Sequence, residues 1–221
     1  MIENTVATSP NVPRRRIPVV GIVGGIGSGK SAVAEWMAAH AKVTVLNADK
    51  LGHEALQADS VKQALCEQFG QSILDADGSI DRATIARLVF GEDAVHLAAR
   101  RQLEQIVHPE IGRRIADGIE AAAAEGLDAV LLDAAILLET GWRTKCDLVV
   151  FIDTPDAVRL ERVHQRRGWT AEELHRREAS QWSLTDKRRE SDLVVENDGE
   201  LEIAGSRLLQ SLRQRGVIRH D

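Results

Sequence analysis

Ile17-Pro-Val-Val-Gly-Ile-Val-Gly-Gly-Ile-Gly-Ser-Gly-Lys30-Ser31 is the stretch on which the fold turns. Its first half, residues 17–23, is a compact apolar run rich in β-branched residues, and it predicts a buried strand. Gly24 to Gly29 breaks that strand. Ser31 to Ala41 then carries Val33, Ala34, Trp36, Met37 and Ala38 at helical spacing. Gly24 to Ser31 fits the Walker A pattern G-x-x-x-x-G-K-[ST], in the strand–loop–helix context that the pattern requires. Glycines allow positive φ and close approach of backbone to phosphate. The N–H groups of Gly27, Gly29, Lys30 and Ser31 form an anion nest at a helix N-terminus. Lys30 supplies a mobile positive charge for the β and γ phosphates, and the Ser31 hydroxyl is placed for Mg²⁺. The predicted nucleotide cradle is therefore Gly25, Ile26, Gly27, Ser28, Gly29, Lys30, Ser31 and Ala32.

Lys42-Val-Thr-Val-Leu46 is a second predicted strand, so the helix between the two is a crossover and the sheet is parallel. Residues 127–132, 148–152 and 193–195 predict three further strands. Between the second and third lies a long strand-free stretch. One helix is predicted over 51–69, a turn at Asp75-Ala-Asp-Gly78, a helix from Ile80 to about Phe90, and another over 92–107 that Pro109 interrupts. A separate helix follows over 111–125. Later, Asp153-Thr-Pro-Asp156 starts a helix with Pro155 in its first turn. That helix reaches Arg167 and stops at Gly168. Thr170-Ala-Glu-Glu173 is a capping-box start for the next one, and Leu201 to Arg215 is a final amphipathic helix.

The whole chain, 221 residues of which 43% are hydrophobic, suffices for one substantial core. A net charge of −6 argues against a nucleic-acid binder. Cys66 and Cys146 lie far apart without a C-x-x-C, which argues against a disulfide framework or a zinc site and for buried thiols in a reducing compartment. No segment approaches the roughly 20 apolar residues of a membrane span. Residues 1–16, with Arg14-Arg15-Arg16, read as a disordered leader rather than a signal peptide. A cytoplasmic protein is expected, monomeric, with weak self-association as the alternative.

No N/T-K-x-D segment is present, so a base-reading GTPase is disfavoured, and Asp75-Ala-Asp-Gly78 lacks the preceding apolar strand of a switch segment. Asp133 ends the third strand, where an acid either holds metal through water or simply caps the strand. Asp49 follows the second strand at the carboxyl edge, where ligands bind in this architecture. It is a candidate base for an acceptor hydroxyl, or a helix cap. Residues 159–187 are rich in arginine and form a candidate lid. In it Arg162 and Arg166 lie one helical turn apart and can neutralise charge in transfer. Trp169 and Trp182 are expected to pack this hairpin rather than stack on a base.

An ordered set of later motifs is more specific than the loop. Leu46-Asn-Ala-Asp49 resembles I-D-A-D of the dephospho-CoA kinase family. Phe69-Gly70, Asp77-Gly-Ser-Ile-Asp-Arg82 and Leu88-Val-Phe90 come next in family order. Leu103-Glu-Gln-Ile-Val-His-Pro109 resembles L-x-x-I-x-H-P, and Asp133-Ala-Ala-Ile-Leu-Leu-Glu139 resembles V-P-L-L-x-E. Arg177-Glu-Ala-Ser-Gln181, Lys187-Arg188, Ser191-Asp192 and Val195-Glu-Asn197 complete the set. The resemblance runs from Val19 to about Gly199. It implies transfer from Mg-ATP to the ribose 3′-hydroxyl of dephospho-CoA, with Asp49 as base. It further implies that Arg82, His108 and Glu139 lie near the acceptor and that Arg162, Arg166 and Arg177 belong to the lid side, Arg177 also meeting substrate. The fold expected is a three-layer α/β P-loop core (17–48, 108–158, 188–221), with a helical acceptor-binding insert (49–107) and a helical lid (159–187). Val23, Asn47 and Ala135 depart from the family's Thr, Asp and Pro. The alternatives are a nucleoside or nucleotide kinase of the same fold and a non-catalytic nucleotide-binding regulator.

Overall fold

A computed structural model describes residues 16–91 and 93–220; the predicted leader over 1–16 falls almost wholly outside them. Five parallel strands form one sheet in the order β2-β3-β1-β4-β5. They are β1 (Val19–Gly24), β2 (Val43–Asn47), β3 (Ala129–Asp133), β4 (Leu148–Asp153) and β5 (Leu193–Glu196). The helices are α1 (Lys30–His40), α2 (Ala48–Ala55), α3 (Asp59–Phe69), α4 (Arg82–Val89), α5 (Ala94–Ala124), α6 (Asp156–Arg167), α7 (Ala171–Glu178), α8 (Leu184–Arg189) and α9 (Leu201–Gln214).

β1 is buried on both faces, as its unbroken apolar run requires. Val20 and Ile22 point into one layer, with Val33 and Met37 of α1 and Leu208 and Leu212 of α9. Val19 and Val23 point into the other, with Val149, Phe151 and Leu137, and this core continues into the helical insert through Leu65, Ile85 and Ile115. Gly21 lacks a side chain where a Cβ would sit 2.8 Å from Leu137, so the strand and the loop after β3 can approach closely.

Several local expectations are corrected. The helix predicted over 51–69 is two helices, interrupted at 56–58, and α2 starts earlier, at Ala48. The break lets both Ala55 and Val61 turn into the core. Pro109 does not interrupt: α5 runs 31 residues through it. Val107, Ile111 and Ile115 flank the proline and are buried. At roughly 1.5–3 kcal/mol each, their burial exceeds the ~3 kcal/mol that an interior proline costs. Beyond α7 a further helix, α8, is capped by Ser183, whose hydroxyl accepts from the Asp186 N–H at 3.0 Å. Pro155 stands at the cap of α6 rather than in its first turn. Gly168, at φ 69°, ends α6, and Thr170 caps α7 as the sequence predicts.

The strand register brings the chemistry-bearing residues together. Ile22 of β1 and Asn47 of β2 both lie opposite Asp133 of β3. The glycine loop, Asn47 and Asp133 therefore share one carboxyl edge of the sheet.

Candidate active site

Beyond β1 the loop turns through Gly27 (φ 77°) and Gly29 (φ 84°) and delivers Lys30 as the first residue of α1. A Cβ on Gly29 would stand 2.4 Å from Asn197 Nδ2, so this position is closed to side chains twice over, by φ and by space. The Ser28 carbonyl accepts from Asn197 Nδ2 at 2.7 Å and from Thr154 Oγ1 at 3.0 Å, which pins the loop to the ends of β4 and β5. Glu178, at the end of α7, accepts the Ile26 N–H at 3.0 Å and pairs with the buried Arg159, which also donates to the Ile26 carbonyl at 3.2 Å.

The Lys30 ammonium donates to the carbonyls of Gly25 and Gly24 at 2.9 and 3.1 Å. Burial pushes its pKa down to about 8, although neighbouring Asp133 pulls the other way. Ser31 Oγ donates to Asp133 Oδ2 at 2.5 Å, and Asn47 Nδ2 donates to the same oxygen at 3.1 Å. Burial raises the Asp133 pKa, against the Ser31 hydrogen bond and the Lys30 charge. Asn47 uses both ends of its amide, since its Oδ1 accepts the Lys50 N–H at 2.9 Å and caps α2. An aspartate there could make the cap but could not donate to Asp133.

Asp49, in the first turn of α2, is exposed and has no hydrogen-bond or ion-pair partner among the described residues. It lines a cleft of ≈ 530 Å³ together with Lys30, Ser31 and Asp133. The opposite wall carries Arg162, Arg166, Arg167 and Arg177. Arg162 is partly buried and reaches the Ser28 carbonyl at 3.4 Å; burial and then the Arg166 charge lower its pKa. Arg166 has no hydrogen-bond or ion-pair partner among the described residues. Arg167 and Arg177 lie over Trp169, at 4.7 and 4.4 Å from the ring centroid, and Arg177 Nε also donates to Glu173 at 2.6 Å. Trp182 does not line the cleft.

Of the predicted nucleotide cradle, Ile26, Gly27, Gly29, Lys30, Ser31 and Ala32 line the cleft, whereas Gly25 and Ser28 are buried behind it. Asp49, Arg162, Arg166 and Arg177 join them. Three predicted acceptor residues do not. Arg82 is exposed at the start of α4, without a hydrogen bond or ion pair among the described residues. His108 faces a separate groove on α5 with Arg101 and Gln105. Glu139 pairs with Lys187 at 2.9 Å. Sequence reasoning missed the Glu178–Ile26 contact and the donation from Asn47 to Asp133. Neither has a local signal, because Glu178 lies 152 residues from Ile26 and Asn47 lies 86 from Asp133.

A parallel sheet whose first strand feeds a Walker loop, with an acid beside the loop serine and arginines across the cleft, defines a P-loop phosphotransferase. The dephospho-CoA kinase family profile matches residues 18–202. The dephospho-CoA kinase of Rhodopirellula baltica is 39% identical over 190 residues, covering 86% of this chain and 87% of its own. That of Corynebacterium diphtheriae is 36% identical, covering 89% and 96%. The crystal structure of TT1252 from Thermus thermophilus superposes with a TM-score of 0.77 at 30% identity, covering 91% and 98%. The chain belongs to the dephospho-CoA kinase family and is an ATP-dependent kinase.

Proposed function

We propose that this cleft transfers the γ-phosphoryl group of Mg-ATP to the ribose 3′-hydroxyl of dephospho-CoA, with Asp49 accepting the hydroxyl proton. The carrying observation is the unpartnered Asp49 carboxylate on the same cleft as Lys30 and Ser31. A carboxylate without a partner has its lone pairs free for the acceptor hydroxyl. The acceptor oxygen forms the new bond to phosphorus, the bond to the β-phosphate oxygen breaks, ADP leaves, and the proton goes to Asp49 and then to solvent.

Lys30 and the loop N–H groups hold the phosphates. Arg162 and Arg166, two like charges one helical turn apart, form a ready site for a polyanion and spread its charge in the transition state. Ser31 Oγ and Asp133, hard oxygen donors beside a phosphate site, would hold Mg²⁺, which would supply charge neutralisation for the β and γ phosphates. Residues 49–107 serve as the acceptor-binding region and 159–187 as the lid. The contacts of Glu178 and Lys187 support the C-terminal part of that lid as its fixed base. Among the described residues no helix is long and apolar enough to cross a membrane. On this reading the protein is a cytoplasmic monomer acting on free small molecules.

Coupled ADP release with Mg-ATP tests the reading, with dephospho-CoA, adenosine or no acceptor. Turnover with dephospho-CoA alone is expected, and its product should be CoA. Turnover with adenosine instead, or ATP binding without turnover on any acceptor, overturns it.

A further inference from the structure

Lys187 is the largest fully buried side chain of the described residues, 1% exposed, and it is charged. Burying an ammonium is expensive unless each of its protons finds an acceptor. Here Nζ donates to the Ala135 carbonyl at 2.9 Å and to Gln181 Oε1 at 2.8 Å, and pairs with Glu139 Oε1 at 2.9 Å. The same Glu139 oxygen accepts the Trp182 N–H at 2.9 Å. One ammonium thus joins two walls of the cleft. Ala135 belongs to the loop after β3, and Gln181 to the connection between α7 and α8; both line the cleft. The contact with residue 135 is made by its carbonyl, which alanine and proline both possess, so the departure from the family's proline leaves it intact.

We infer that Lys187 is a positioning residue that latches the connection between α7 and α8 to the loop after β3 and so seals the cleft against water. A kinase needs such a seal, because water competes with the acceptor for the γ-phosphoryl group. Glu139 acts within the latch. It sets the loop from behind, through its pair with Lys187 and its bond to Trp182, rather than by touching the acceptor.

The inference rests on the phosphotransfer reading, and its test separates the two. The readout is ADP formed per CoA formed, with ADP formation without acceptor measured alongside. Wild-type protein is expected to give a ratio near one. Lys187→Met removes the charge and keeps the stem, and Gln181→Met cuts one strand of the latch at a partly exposed position, so that variant folds. Both are expected to raise the ADP-to-CoA ratio and to lower kcat by about 10–100-fold, the range found when a supporting contact behind a site is lost. ATP affinity should stay within about threefold, because the Walker loop is untouched. Lys187→Arg should restore part of the coupling. A purely structural role predicts a lower melting temperature with an unchanged ratio. Folded Lys187→Met and Gln181→Met proteins that keep the wild-type ratio and kcat overturn the inference. A wild type without acceptor-dependent ADP release overturns the phosphotransfer reading instead.

Discussion

Raising the pH from 7 to 9 should weaken ATP binding through one group, Lys30. Burial holds its pKa at about 8 in the free protein. Bound polyphosphate favours the charged form and returns the pKa toward the ordinary lysine range, above 10. Binding is then linked to protonation. At pH 7 nearly all of the free protein carries the charge and nothing is lost. At pH 9 only about one molecule in eleven does, so the dissociation constant rises about tenfold, or about 1.4 kcal/mol. Calorimetric titration with a non-hydrolysable ATP analogue at pH 7, 8 and 9 measures this directly, and proton uptake on binding should rise at each step of that series. Lys30→Arg is the control, since arginine stays charged throughout; its affinity should be weaker but flat over this range. The same shift has a consequence for stability. A lysine whose folded pKa lies below the unfolded 10.5 destabilises the fold below pH 8, and that cost fades as pH rises from 8 to 10.5. The difference in stability between Lys30→Met and wild type should therefore shrink across that window. A flat wild-type dissociation constant, or the same slope in Lys30→Arg, would refute the reasoning.

Other variants test other parts of the site. Gly29→Ala places a side chain at φ 84° and against Asn197, costing about 1–2 kcal/mol for the backbone alone. Thermal melting should fall by several degrees and ATP affinity by more than tenfold. Glu178→Ala removes one of the two carboxylates paired with the buried Arg159, leaving Asp156 at 2.6 Å, and frees the Ile26 N–H, so chemical denaturation should show a loss of about 1–3 kcal/mol. Arg166→Ala removes an exposed, unpartnered cation. It should leave melting unchanged while lowering kcat by about 10²-fold, and unchanged kcat would remove Arg166 from the charge-neutralising set.

The sequence makes the core legible where the signal is local. The apolar run of β1, the glycines and Lys30-Ser31 are contiguous, so each constrains the others, and Asp49 follows from the strand before it. Features set by distant packing stay hidden. Pro109 reads as a break because propensity is local, whereas the burial of Val107 and Ile115 that overrides it is tertiary. The helix α8 has only six residues, too short for a periodic pattern. Asn47 reads as the loss of a charge. Only the register of β2 against β3 reveals that its amide donates to Asp133. Glu139 lies within a matched motif, yet its partner Lys187 comes 48 residues later, from helix α8. Arg177 lines the cleft, and its stacking on Trp169 requires the turn at Gly168.

The central claim is that Asp49 takes the proton of the acceptor hydroxyl. Rapid-quench single-turnover transfer by Asp49→Asn, beside ATP and dephospho-CoA binding to the same protein, tests it most directly. Near-normal binding of both ligands is expected, with a transfer rate lower by at least about 10²-fold. Transfer at the wild-type rate in that variant would contradict the claim.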